Sequence, residues 1–152
     1  MSGGLFGALG ISASGMAAER LRMDVTADNL ANADTTRGAN GGPYQRQEVV
    51  LQAAGGQSFS NALSMAQSGP DLNSAQPNGV QVAAIASDPS PPRRVYDPGH
   101  PDADAQGYVT LPNVNTVTEM TDLIAESRSY EANAQALQSA KTLYTKTLDI
   151  LR

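Results

Sequence analysis

Residues 117–152 read VTEMTDLIAESRSYEANAQALQSAKTLYTKTLDILR, and the fold is decided in this stretch. It contains no Gly and no Pro, although the whole chain has 14 Gly and 9 Pro. The residues at its start, Thr116-Val117-Thr118-Glu119, fit a capping box: a Thr hydroxyl takes the amide three residues on and the Glu reaches back. Glu119, Asp122, Glu126 and Glu131 come early and Lys141, Lys146 and Arg152 late, an order that suits the helix dipole. At 1.5 Å rise per residue, one unbroken helix of about 35 residues spans roughly 50 Å. An ordinary globular helix has about 11–12 residues.

Met120, Leu123, Ser127, Tyr130, Ala134, Leu137, Lys141, Tyr144, Leu148 and Leu151 step by three and four, which predicts a coiled-coil-like seam. A second line runs through Ala132, Ala136, Ala140, Leu143, Thr147 and Ile150. A helix apolar on two sides needs more than one neighbour. One neighbour is available near the N-terminus, where Ile11 to Leu30 reads helical. Leu9, Met16, Met23 and Leu30 stand seven apart, and Ala13, Ala17 and Ala18 permit close approach. Met1 to Gly10 carries four glycines, each costing about 1 kcal/mol against Ala, so no stable isolated helix is expected there. With the two helices paired, the middle of the chain is a loop-out between them.

That middle is turn-rich and short-stranded. Asn29 to Thr36 breaks the first helix, because Asn and Asp side chains bond their own backbone. Tyr44 to Gln52 reads as a short strand centred on Val49-Val50. Ala53 to Asn78 is rich in Ala, Gly, Ser, Gln and Asn, with two Pro, one acid and no base, as in a weakly ordered insert, with one or two helical turns at Ser60 to Gln67. Gly79 to Ser87 alternates as a strand until Asp88-Pro89-Ser90-Pro91-Pro92 stops it. Arg93 to Tyr96 and Tyr108 to Leu111 are short extended pieces on either side of the loop Asp97 to Gly107. The expected class is mainly α with a small β part, the terminal helices packed as a coiled-coil-like pair.

Composition narrows the function. Only 5% of the 152 residues are aromatic, with no Trp, so a large self-sufficient core is not expected. A net charge of −5 argues against nucleic acid or an anionic membrane surface as partner. The absence of Cys removes disulfides, thiolate metal sites and Cys nucleophiles. No run reaches the roughly 18 apolar residues of a membrane span, and the N-terminus lacks the basic region of a cleaved secretory signal. Asp97, His100, Asp102 and Asp104 are close enough in sequence to suggest a metal cluster, but carboxylates at this spacing are common in plain acidic loops. Asp102, Asp104, Gln106 and Gly107 imitate the start of a calcium loop, yet its twelfth position is Asn113 where a bidentate Glu is required. No nucleophile motif, phosphate-binding loop or zinc helix is present. The reading is no catalytic residue, no cofactor and no metal.

Two terminal segments resemble a known family. Ile11-Ser12-Ala13-Ser14-Gly15-Met16 with Arg20, Asn29-Leu30-Ala31-Asn32 and Thr35-Thr36 look like the N-terminal signature of bacterial flagellar rod and hook proteins. Asn113-Val114-Asn115, Glu119-Met120, Leu123-Ile124 and Arg128-Ser129-Tyr130-Glu131-Ala132-Asn133 are similar to their C-terminal signature. Gly42-Pro43-Tyr44-Gln45-Arg46, Asp88-Pro89-Ser90-Pro91, Tyr96 to Ala103 and Gly107-Tyr108-Val109 resemble the proximal-rod members of the flagellar basal-body rod family. The resemblance covers most of the chain outside Ala53 to Asn78.

The resemblance implies a rod-core helix in 1–36, a loop and small β insert in 37–112, and a second rod-core helix in 113–152 that forms one domain with the first. It implies a drive-shaft subunit of the proximal rod, polymerising through its terminal helices, transmitting torque and enclosing an export channel. Its partners would be copies of itself, other rod subunits and the flagellar type III export apparatus, with no nucleic acid and no direct membrane insertion. Its place would be the basal body, in the rod crossing the periplasm, reached without a cleaved signal. Met16, Met23, Asn29, Leu30 and Asn32 on the first helix are the expected interface residues. On the second they are Met120, Leu123, Ile124, Arg128, Tyr130, Glu131, Asn133, Leu137, Tyr144 and Leu148. The alternative is a soluble helical adaptor that dimerises through the same helices.

Overall fold

The structure, a computed structural model, describes residues 2–38, 41–54 and 79–150. In chain order it has α1 (Ser2–Ala31), β1 (Gln47–Ala53), β2 (Val80–Ser87), β3 (Arg93–Tyr96), β4 (Tyr108–Leu111) and α2 (Thr116–Ile150). The protein is mainly α with a small β part, and its two helices are 30 and 35 residues long. The helical turns expected at Ser60 to Gln67 lie outside the described residues.

Both helices start differently from the sequence expectation. α1 begins at Ser2 and runs through Gly3, Gly4, Gly7 and Gly10. Partial burial of Leu9 and Ile11 offsets part of the glycine cost, an override of propensity by packing. At α2 the cap is Asn115, one residue earlier than expected. Its Oδ1 accepts the amides of Val117 at 3.0 Å and Thr118 at 3.4 Å. Glu119 does not reach back to the cap, because its carboxylate is held by Arg46 and Asn29.

Each strand pair forms its own two-stranded sheet. The β1–β2 pair is closed at one end by the Asp88 amide on the Arg46 carbonyl (2.8 Å) and at the other by the Ala54 amide on the Gly79 carbonyl (2.7 Å). β3 and β4 pair antiparallel, from Arg93 opposite Leu111 to Tyr96 opposite Tyr108. Gly107 closes their turn at φ +81°, and an added Cβ there would stand 2.9 Å from the Tyr96 ring. Backbone conformation and space therefore both require glycine at this position.

The chain forms two compact units. The first comprises Met1–Glu19, Leu51–Ala83 and Ser129–Arg152, the second Arg20–Val50 and Ala84–Arg128. In the first, a Cβ on Gly15 would come within 3.1 Å of the Asn133 amide, so a bare backbone lets α1 approach α2 here. Ser14 Oγ donates to the Ile11 carbonyl (2.8 Å) and accepts the Val80 amide (3.0 Å), which seats the start of β2 on α1. A Cβ on Gly79 would lie 2.0 Å from that hydroxyl oxygen. In the second unit Val25, Ala33, Val109, Val114 and Pro112 are buried. The largest fully buried side chain among the described residues is nevertheless a glutamate, Glu119.

Candidate functional site

The second unit holds a polar junction between the end of α1, the start of β1 and the start of α2. Asn29 is at its centre, 1% exposed. Its Oδ1 accepts the Gln47 amide (2.9 Å) and the Tyr44 hydroxyl (2.8 Å). Its Nδ2 donates to the Gln47 carbonyl (2.8 Å) and to Glu119 Oε2 (3.1 Å). The amide's hydrogen-bonding capacity is thus spent within the chain, and with Gln47 it pairs as a neighbouring strand would.

Glu119, also 1% exposed, takes Arg46 Nε on its other oxygen at 2.6 Å. That bond to Glu119 is the largest influence raising the Arg46 pKa above its ordinary value. Arg46 is anchored in turn by its amide on Asn113 Oδ1 (3.3 Å). Burial raises the Tyr44 phenol, helped by the charges of Asp28 and Glu119, so Tyr44 stays a donor to Asn29. Seven residues along each helix, Glu126 meets Arg22 Nε at 3.4 Å and the Thr26 hydroxyl at 3.3 Å. As α1 advances from Arg22 to Asn29, α2 retreats from Glu126 to Glu119, so the helices run antiparallel in this unit.

The acidic loop is held by its own chain. Asp97 accepts the Gly99 amide, and His100 Nδ1 accepts the Asp102 amide. Asp102 takes the Thr36 hydroxyl at 2.7 Å and pairs with Arg37. Asp104 takes the amides of Tyr108 (2.8 Å) and Gln106 (2.9 Å) and pairs with Arg94, which lies over the Tyr108 ring. No group of three metal-ligating side chains suited to an ion occurs among the described residues.

The Thr36 hydroxyl foremost, then the Arg37 charge, lowers the Asp102 pKa from 3.8. The Tyr108 amide foremost lowers that of Asp104 from the same value. A carboxyl lowered by folding adds stability above its unfolded pKa and loses it as pH falls through the folded one. The melting temperature should therefore drop on acidification below about pH 4. Asp104→Asn should make the drop shallower, and an undiminished drop in that variant would remove Asp104 as a cause.

A cleft of about 530 Å³ in the second unit is lined by Gly38, Gly42, Pro43, Tyr44, Gln45, Gln47, Ser87, Ser90, Pro92 and Asn113. Its described lining contains no carboxylate, histidine, lysine or cysteine, and so no base to activate Ser87 or Ser90.

The expected interface residues fall into three groups. Met120, Ile124, Arg128, Tyr130, Glu131, Tyr144 and Leu148 are exposed. Met16, Met23, Leu30, Leu123, Asn133 and Leu137 are half-buried. Asn29 is buried, and half-buried Asn32 donates its side-chain amide to the Asp28 carbonyl, ending α1. The α2 seam is therefore divided: Leu123, Ser127, Ala134 and Leu137 are half-buried, whereas Met120, Tyr130, Tyr144 and Leu148 face solvent. Sequence reasoning did not identify the buried Glu119 and Glu126, or their half-buried neighbours Arg22, Tyr44, Arg46 and Gln47, as a connected polar set. A signal was present: Arg22 and Asn29 each directly precede an apolar seam residue seven apart, as do Glu119 and Glu126 a seam position.

Residues 9–39 match the family model described as flagella basal body rod protein. Residues 105–150 match the model for the C-terminal part of flagellar basal body rod FlgEFG proteins. A flagellar basal-body rod protein FlgC of Bacillus subtilis is 47% identical, over 95% of this chain and 97% of its own. FlgC of Borreliella burgdorferi is 42% identical over 98% and 99%. FlgC of Salmonella typhimurium is 40% identical over 92% of each.

Proposed function

The chain belongs to the flagellar basal-body rod protein family, and we propose from this that it is a FlgC-like structural subunit of the proximal rod. It is a component of the flagellar basal body and associates there with other rod subunits. In our reading it polymerises through its terminal helices, with copies of itself among its neighbours. Residues 1–36 and 113–152 form the rod-core part and 37–112 the insert. The assembled rod crosses the periplasm, transmits torque and encloses the export channel. The subunit reaches it through the flagellar type III apparatus with its N-terminus uncleaved, and acts through its surfaces without catalysis.

The supporting observation is the outward side of α2. Residues 141–149 are exposed on every side of the helix, including Leu143, Tyr144 and Leu148. In the second unit Val117, Met120 and Ile124 are exposed at helical spacing, more than half of each open to solvent. The hydroxyls of Thr121, Thr142, Thr145 and Thr147 bond carbonyls of their own helix, so these exposed donors are already satisfied within the chain. Covering a Leu, Ile or Met side chain yields about 1.5–3 kcal/mol. The exposed members of the expected interface set are the residues proposed to meet neighbouring subunits, the half-buried ones other than Asn32 complete the seam, Asn29 holds α1 in place for it and Asn32 ends that helix.

Hydrogen exchange on the purified chain and on isolated basal bodies tests this. Residues 141–149 should exchange freely in the dilute monomer and be protected in the rod. Equal exchange in both would remove α2 from the subunit contacts and favour the adaptor reading.

A further inference from the structure

The apolar positions of α1 do not define one pairing. Leu9, Met16, Met23 and Leu30 recur every seven residues, so a slip of seven places similar side chains in similar positions. The buried polar groups of the second unit do not have this freedom. If α1 slips seven residues one way, Glu119 passes beyond Ala31, the last residue of α1. If it slips the other way, Asn29 passes before Thr116, the first residue of α2. Either slip strands a polar group that is now 1% exposed, and an unpaired buried charge or amide is costly. Asn29 is also fixed from a third side by both main-chain groups of Gln47, and the adjacent Arg46 holds Glu119.

We propose that the Asn29–Gln47–Arg46–Glu119 junction, with the Arg22–Glu126 pair one heptad away, selects the register in which α1 and α2 pair within this unit. Asn29 is a positioning residue: it admits one alignment of the two helices in this unit. Buried polar groups in helix pairs set register in well-attested cases, often with little net stability. Stability and register therefore have to be measured separately.

The chain has no cysteine, so spin labels go only where they are placed. Arg20→Cys and Arg128→Cys put them on exposed positions near the Arg22–Glu126 pair. Distances between them are read by pulsed electron resonance on the dilute full-length chain. With the junction intact, one narrow distance is expected. Replacing the ion pair as a unit, Arg46→Met with Glu119→Leu, should leave the helix content unchanged. It should also add a second distance population, displaced along the axis by roughly 10 Å, or seven residues. A single unchanged distance in that folded variant would overturn the proposal. Should it fail to fold, Glu119→Gln, which keeps the shape of the side chain, is read instead. Broadening in Glu119→Gln supports register selection, and an unaltered distribution overturns it.

Discussion

Ile124→Asp is expected to abolish motility while leaving the purified chain as stable as before. Ile124 is 53% exposed in the monomer, and surface substitutions of this kind usually change stability by no more than about 0.5 kcal/mol. In a rod the same position would lie against a neighbour. A carboxylate forced into an apolar contact without a partner costs several kcal/mol or more, and a polymer repeats that cost at each equivalent contact. A complementation assay for swarming, with electron microscopy of basal bodies, reads the effect, and Ile124→Leu serves as control. Swarming at the wild-type rate would exclude Ile124 from the packed surface. Tyr130→Asp tests the first unit in the same way. Leu137→Asp is less informative because Leu137 is half-buried and the fold itself would suffer.

Arg46→Met has the largest expected effect on stability. It leaves Glu119 buried and, among the described residues, hydrogen-bonded through its side chain to the Asn29 amide alone. Removing one member of a buried pair typically costs about 3–5 kcal/mol, because the other charge stays behind. The part of the Arg46 side chain already open to water brings the expectation toward the lower end of that range. Urea unfolding of Arg46→Met, Glu119→Gln and the double variant forms a cycle in which the double variant should recover much of the loss. Additive losses would mean that the two side chains stabilise the fold independently.

Much of this fold was legible because periodicity and the Gly/Pro distribution carry it. The Gly- and Pro-free stretch from Val117 marked α2, and Pro89, Pro91, Pro92 and Pro112 bounded the short strands. The helix starts were less legible. Whether Thr116 or Asn115 caps α2 depends on where the Glu119 carboxylate is needed, and that is settled by Arg46, 73 positions away in sequence. The glycine-rich start of α1 was not legible as part of the helix, because propensity does not register the partial burial of Leu9 and Ile11. The polar junction was illegible for a related reason. A hydrophobic pattern assigns Glu119 and Glu126 to the solvent side, and only matched partners on α1 and at Arg46, just ahead of β1, make their burial tolerable. Asn29 was singled out as a family feature, but nothing in the pattern around it pointed to Gln47 taking both ends of its amide.

The hydrogen bond between Ala54 and Gly79, with the seat that Ser14 gives to β2, has an evolutionary consequence. The chain departs at Ala54 and re-enters at Gly79 through one fixed doorway. Chain-closure cost grows only slowly with the number of residues between two fixed ends. Insertions, deletions and drift in composition between those ends are therefore cheap for a lineage, provided that Ser14 and a residue without a side chain at position 79 persist. Length and composition can thus vary between Ala54 and Gly79 while the frame on either side stays the same.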